Sequence, residues 1–219
     1  MAKARLGRIY IPDSRDNLFQ LRELLPQKID VTERYWLDDH WTGDQGESPE
    51  CVAFSLVGWL EAGPVLQKAK PHPCIDPHVL YTEAQKIDGI PLPHDGSTVR
   101  AGAKALQKRG YIKSYHWAFD LDTLVRAVLS TGPVVVGTNW YNKMFYPDSK
   151  TGVIKIGGSV AGGHAYLISG VNKKTKLLQI RNSWGSTWGL KGRAYISFAN
   201  MKRLIQEDGE VCLATEISK

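Results

Sequence analysis

No stretch of this sequence approaches the ~20 consecutive apolar residues that a membrane-spanning helix needs. The opening Met1-Ala2-Lys3-Ala4-Arg5-Leu6-Gly7 has basic side chains but no apolar core behind them, so it does not read as a secretory signal. Cysteine is scarce. Cys51, Cys74 and Cys212 make an odd count without framework spacing, which predicts reduced thiols and a cytoplasmic protein, with a Cys74–Cys212 pairing left open. Internal repeats and low-complexity segments are missing as well. Acidic residues number 22 against 28 basic ones, a net charge of +6. The cations are nevertheless dispersed, and their densest group, Lys173-Lys174-Thr175-Lys176, falls in a predicted turn. Neither nucleic acid nor membrane is therefore expected as a partner. What remains is an ordinary globular composition, 42% hydrophobic and 23% charged, in a chain of 219 residues, enough for one sizeable domain or two tightly packed subdomains.

Helices are expected in the first part. Val52 to Ala62 is mostly apolar and ends at Gly63-Pro64; Asp76 to Lys86 opens on a capping Asp; Ser97 to Arg109 is closed by Gly110; Asp120 to Ser130 stops at Gly132-Pro133. Strands are expected afterwards at 134–138, 153–156, 165–171, 177–181, 193–197 and 211–217, with a short helix at 200–206 among them.

Cys51 stands at the start of the first helix. A cysteine attacks a carbonyl as its thiolate, and a free thiol with a pKa near ~8.5 is mostly protonated at neutral pH. A helix N-terminus, with unpaired N–H groups and a favourable dipole, would lower that value, and an imidazolium beside the sulfur would lower it further. His164, in Gly162-Gly163-His164-Ala165-Tyr166, is the candidate imidazole. A histidine that must take and return a proton needs a third group to fix its tautomer. Asn182 follows 18 residues later, the length of a strand, a turn at Asn172-Lys173-Lys174-Thr175 and a second strand, so a hairpin would return it to His164.

The stretch Gln45-Gly46-Glu47-Ser48-Pro49-Glu50-Cys51, the Gly-Gly-His-Ala-Tyr run and Asn182-Ser183-Trp184-Gly185-Ser186-Thr187-Trp188-Gly189 together resemble the active site of the papain family of cysteine peptidases. The resemblance spans about Gln45 to Cys212. It implies an α+β fold: a mainly helical lobe (about 45–115) after a lead-in (1–44), and a mainly β, barrel-like lobe (about 116–219), forming a single peptidase domain with the site in the cleft between. It also implies that Gln45, six residues before Cys51, is a side-chain oxyanion donor, that Trp184 shields the His–Asn hydrogen bond, and that substrate pairs with backbone near Asp95-Gly96-Ser97. The specificity pocket would lie near Thr98 and Gly162-Gly163, with Glu216 or Ile217 near its floor. The substrate-binding candidates are thus Gly96, Ser97, Gly163, Trp184 and Glu216.

The sequence departs from the family pattern in places. Ser48 replaces a cysteine, and Val52 replaces an aromatic residue, which would widen the cleft. The Cys–His separation is 113 residues against the ~130–150 of near relatives. Gly163 replaces a polar residue and would open the site beside the imidazole. Cys212 sits where the family often has a bridged cysteine, but the partner position is held by Gly157-Gly158-Ser159. The 44 residues ahead of Gln45 are too few for a long helical pro-segment, and 8–26 resemble the lead-in of prokaryotic and phage-type relatives. Restraint by substrate access or by a partner is the expectation that follows.

The reading is a cysteine-type peptidase acting on a peptide or protein substrate through Cys51, His164 and Asn182, by way of an acyl-enzyme thioester, with no cofactor and no metal, a monomer being favoured. Two alternatives stay beside it: an amidase or isopeptidase using the same machinery, and a papain-fold binding or scaffold protein with little turnover.

Overall fold

A computed structural model describes residues 6–36, 43–64 and 75–216. Cys74 and Ile217 lie outside them. In chain order the elements are β1 (Glu33–Tyr35), α1 (Cys51–Glu61), α2 (Pro77–Asp88), α3 (Val99–Lys108), β2 (Ile112–Ala118), α4 (Leu121–Ser130), β3 (Val134–Tyr141), β4 (Val160–Asn172), β5 (Leu177–Arg181), β6 (Arg193–Ser197), α5 (Phe198–Gln206) and β7 (Glu210–Glu216), with short 3-10 turns at Ser14–Leu18, Leu21–Leu24 and Asn142–Phe145.

The helices begin where their capping residues stand. The carboxylate of Asp76 accepts from the His78 N–H, that of Asp120 from the Thr123 N–H, and the Thr98 hydroxyl from the Ala101 N–H, each satisfying a donor of the first turn. α2 ends at Gly89, in the left-handed region at φ 74°.

The strands form one antiparallel sheet in the order β2-β7-β3-β4-β5-β6, with β1 paired to the last residues of β4. Alternate residues face opposite cores. Val134, Val136, Tyr166 and Ile168 pack with Leu124 and Val128 of α4 and with Met201 and Leu204 of α5. Val135, Ala165, Leu167 and Cys212 pack against Leu56 and Leu60 of α1, Leu80 of α2 and Leu106 of α3. The α+β class is as expected. The sheet of the barrel-like lobe is not closed: its outer strands β2 and β6 do not pair. The strand expected at 153–156 reduces to a single bridge between Val153 and Tyr195, whereas the unforeseen β2 extends the sheet beside β7.

Candidate active site

Cys51 is the first residue of α1, after a tight turn. The Ser48 N–H and hydroxyl both donate to the Gln45 carbonyl (3.0 and 2.7 Å), and the Gln45 side-chain amide donates to the Ser48 carbonyl (2.7 Å). The turn delivers the chain into the helix with the sulfur at its N-terminal end. Sγ accepts from the backbone N–H groups of Val52, Gly7 and Ala165, the last at 3.4 Å.

Ala165 follows His164 on β4, so the strand that aims an N–H at the sulfur also carries the imidazole. His164 Nε2 donates to Asn182 Oδ1 at 2.8 Å. Asn182 follows the last residue of β5 and reaches His164 through the expected hairpin, whose turn is held by Asn172 Oδ1 accepting from the N–H groups of Lys174 and Thr175 (both 2.9 Å). Asn182 Oδ1 also accepts from the Ser183 N–H (2.9 Å), which fixes the amide orientation. A proton held on Nε2 leaves Nδ1 as the basic nitrogen. That Nδ1 is buried and makes no hydrogen bond. Trp184 stacks on the imidazole at 4.5 Å between centroids, and Trp140 meets it edge-on at 4.9 Å. Trp184 thus covers one face of the imidazole and is 7% exposed.

The electrostatics differ from expectation. Cys51 and His164 are both 0% exposed. Burial pushes the thiol up to about 11, against the pull of three N–H donors, and pulls the imidazole down to about 4, against the Asn182 hydrogen bond. Both shifts run toward the neutral thiol and the neutral imidazole. The helix terminus is present, but dehydration outweighs it.

The cause of that burial is the chain itself. Residues 6–10 run across the sulfur. The Arg8 N–H donates to the Gly163 carbonyl (3.0 Å), the Ser97 N–H to the Gly7 carbonyl (2.9 Å) and the Ile9 N–H to the Ser97 carbonyl (3.0 Å), a parallel bridge between Arg8 and Ser97. The segment fits because of two close backbone approaches. A Cβ on Gly163 would sit 2.2 Å from the Arg8 carbonyl oxygen, and one on Gly7 would sit 1.9 Å from that of Pro49. The space that Gly163 leaves beside the imidazole is thus filled by Arg8. Gly7 turns its N–H to the sulfur and its carbonyl to Ser97, so the peptide covering the nucleophile does not offer it a carbonyl carbon. The cover over the sulfur in this structure comes from the N-terminal segment of the same chain.

Gly96, Ser97 and Gly163, the expected substrate-binding backbone, lie along this segment. Gln45 is anchored through its own N–H to the Ser183 carbonyl (2.9 Å) and by the Ser183 hydroxyl donating to Gln45 Oε1 (2.7 Å). Two expectations are corrected. Val52 is fully buried against α3, next to Gly102, so it does not widen the cleft. The acidic β7 residue beside the cleft is Glu210, and Glu216 lies at the far end of the strand. The β7 register sets Glu210 opposite Gly137, one residue from the Thr138–His164 pair, whereas Glu216 pairs with Ile112, ~20 Å farther along the strand. Cys212 is a free, buried thiol. Sequence reasoning missed Gly7, Arg8, Trp140 and Glu210; only Glu210, one residue before the strand expected at 211–217, carried any signal.

Residues 80–215 match the family model described as papain family cysteine protease. The chain belongs to the papain family of cysteine proteases. The matched region holds His164 and Asn182 but starts after Gln45 and Cys51, which enter the site through geometry. An uncharacterized peptidase C1-like protein of Acanthamoeba polyphaga mimivirus is 23% identical over 83% of this chain and 69% of its own length. Mouse cathepsin O is 36% identical over 86 residues, 38% of this chain, which spans only 27% of that protein. Among solved structures, xylellain, a cysteine protease from Xylella fastidiosa, superposes with a TM-score of 0.72 at 21% identity, over 100% of this chain and 99% of that one. A digestive procathepsin L 3 of Tenebrio molitor gives 0.64 at 16% identity, over 97% of this chain and 75% of that one. These likenesses speak to the fold.

Proposed function

We propose that this family member is a latent cysteine peptidase, hydrolysing peptide bonds once residues 6–10 leave the cleft. The observation that carries the reading is the Nε2–Asn182 hydrogen bond, which holds a bare Nδ1 lone pair on the strand that also donates an N–H to Cys51 Sγ. When the segment leaves, water returns, the cost of charging both groups falls, and the thiol proton passes to Nδ1. The thiolate attacks the scissile carbonyl carbon. The oxyanion is held by the Cys51 N–H and the Gln45 amide, and His164 returns its proton to the departing amine. Water, deprotonated by His164, then resolves the thioester and releases the acid. The substrate is a peptide or protein, and the reduced thiol this chemistry needs fits a cytoplasmic setting.

A second reading, a papain-fold binding protein with little turnover, is favoured by one observation, the complete burial of the Cys51 sulfur beneath residues 6–10. Hydrolysis of fluorogenic peptides by the full-length protein, with and without Gly7→Ala, separates the two. Turnover that the substitution increases and that Cys51→Ala abolishes supports the peptidase. A Gly7→Ala protein whose cysteine alkylates freely but cleaves no peptide would leave the binding reading.

A further inference from the structure

Only half of the Asn182 amide is occupied by the triad. Oδ1 accepts from His164 Nε2 at 2.8 Å and from the Ser183 N–H at 2.9 Å, which leaves Nδ2 on the side away from both. Nδ2 is buried and makes no hydrogen bond, in a residue 4% exposed. A buried donor without an acceptor is unfavourable, so what borders Nδ2 decides how the amide is held. Asn182 lines a small cavity of about 20 Å³, which is also bordered, among the described residues, by Arg181, by Leu167 of β4 and by Ser55 and Gly58 of α1. A polar space of that size holds one water, provided roughly two or more polar groups meet it. Ser55 is such a group. Its hydroxyl hydrogen is donated to the Cys51 carbonyl at 2.7 Å, so its oxygen has only acceptor capacity left. Nδ2 must donate and Ser55 Oγ can only accept. A water satisfies both, accepting from the first and donating to the second.

We propose that this cavity is the binding site of a single structural water that bridges Asn182 Nδ2 to Ser55 Oγ and makes Ser55 a positioning residue for the triad. The bridge completes a chain from the imidazole through Asn182, the water and Ser55 to the carbonyl of the nucleophile itself. Its ends belong to different parts of the fold: α1 carries Cys51 and Ser55, and the β4–β5 hairpin leads to His164 and Asn182. A strut between them holds sulfur and imidazole in register whether or not residues 6–10 cover the cleft. It also resists a turned-over amide, which would set Nδ2 against the Nε2–H, donor to donor. The water site stands apart from the peptidase reading, whereas its effect on the chemistry rests on that reading.

The site is tested in the full-length protein by water–amide NMR. The Asn182 side-chain NH2 signal, identified by its loss in Asn182→Ala, should show NOE and ROE cross-peaks to water of opposite sign, the signature of a long-held water. Ser55→Ala should abolish them. Cross-peaks absent from the parent, or surviving Ser55→Ala, overturn the assignment and leave the peptidase reading untouched. The positioning role is read in the Gly7→Ala background. There Ser55→Ala should slow Cys51 alkylation at pH 6 by about fivefold or more, and leave the rate at pH 9 within about twofold, where the thiolate forms without help from the imidazole. Equal slowing at both pH values, or none at either, makes Ser55 a packing residue and overturns the role. If Ser55→Ala does not fold, a crystal structure of the parent decides. Density within hydrogen-bond reach of both Asn182 Nδ2 and Ser55 Oγ supports the site, and a dry cavity overturns it.

Discussion

Two buried regions flank the same cleft and solve dehydration in opposite ways. Around His164, Trp184 and Trp140 exclude water, and burial shifts both members of the titratable pair toward their neutral forms. Around Glu210, burial also pushes the carboxyl above its ordinary range, but the Arg8 guanidinium opposes the shift and supplies a partner. One region is dried so that its charges wait, and the other is dried around a charge already paired. Residues 6–10 seal both. Their departure would let the first region acquire its charges and would strip the second of its partner. The cover over Cys51 and the partner of Glu210 thus come from one strip of chain.

The comparison breaks most completely if the nucleophile is removed. Cys51→Ala should lower peptide hydrolysis by the opened protein ~10⁴-fold or more, while its thermal unfolding stays cooperative; residual hydrolysis near the parent rate would place the chemistry elsewhere. Arg8→Glu sets a like charge against Glu210 in the second region. Loss of a buried pair costs about 3–5 kcal/mol, so the segment should undock and Cys51 should alkylate faster by well over tenfold. The first region has its own signature in acid. His164 is held down to about 4 in the folded protein, so below about pH 6.5 the unfolded chain binds a proton that the folded one refuses. Stability from this group is complete above pH 6.5 and is lost as pH falls toward 4, by on the order of 3 kcal/mol. Urea unfolding of the parent and of His164→Phe across pH 4 to 7 would show it, as a slope present in the first and reduced in the second. The smallest effect is expected at an exposed pair. Glu83 and Arg109 meet at 2.6 Å with a third of each side chain open to water, and Arg109→Ala should change stability by less than about 1 kcal/mol and leave the labelling of Cys51 unchanged.

The triad could be read from the sequence because each member sits in a local motif whose geometry is also local. Cys51 follows a turn and opens a helix, and Asn182 comes back to His164 through a hairpin whose turn residue, Asn172, bonds its own neighbours. Helix starts at Asp76 and Asp120 could be read for the same reason. β2 could not, since its burial does not alternate along most of its length. Arg8 and Glu210 are 202 residues apart and no local pattern links them. The titration of Cys51 was out of reach for a further reason. A helix terminus can be read from neighbouring residues, but the cover that outweighs it comes from the other end of the first fifty residues.

The direct test of the account is the pH dependence of Cys51 alkylation in the full-length protein and in Gly7→Ala, where an added Cβ would collide with the Pro49 carbonyl and displace the segment. The account predicts that the parent reacts slowly and only toward alkaline pH, and that Gly7→Ala reacts quickly down to pH 5–6, losing that reactivity when His164→Ala is added. Identical profiles for the parent and Gly7→Ala would contradict it.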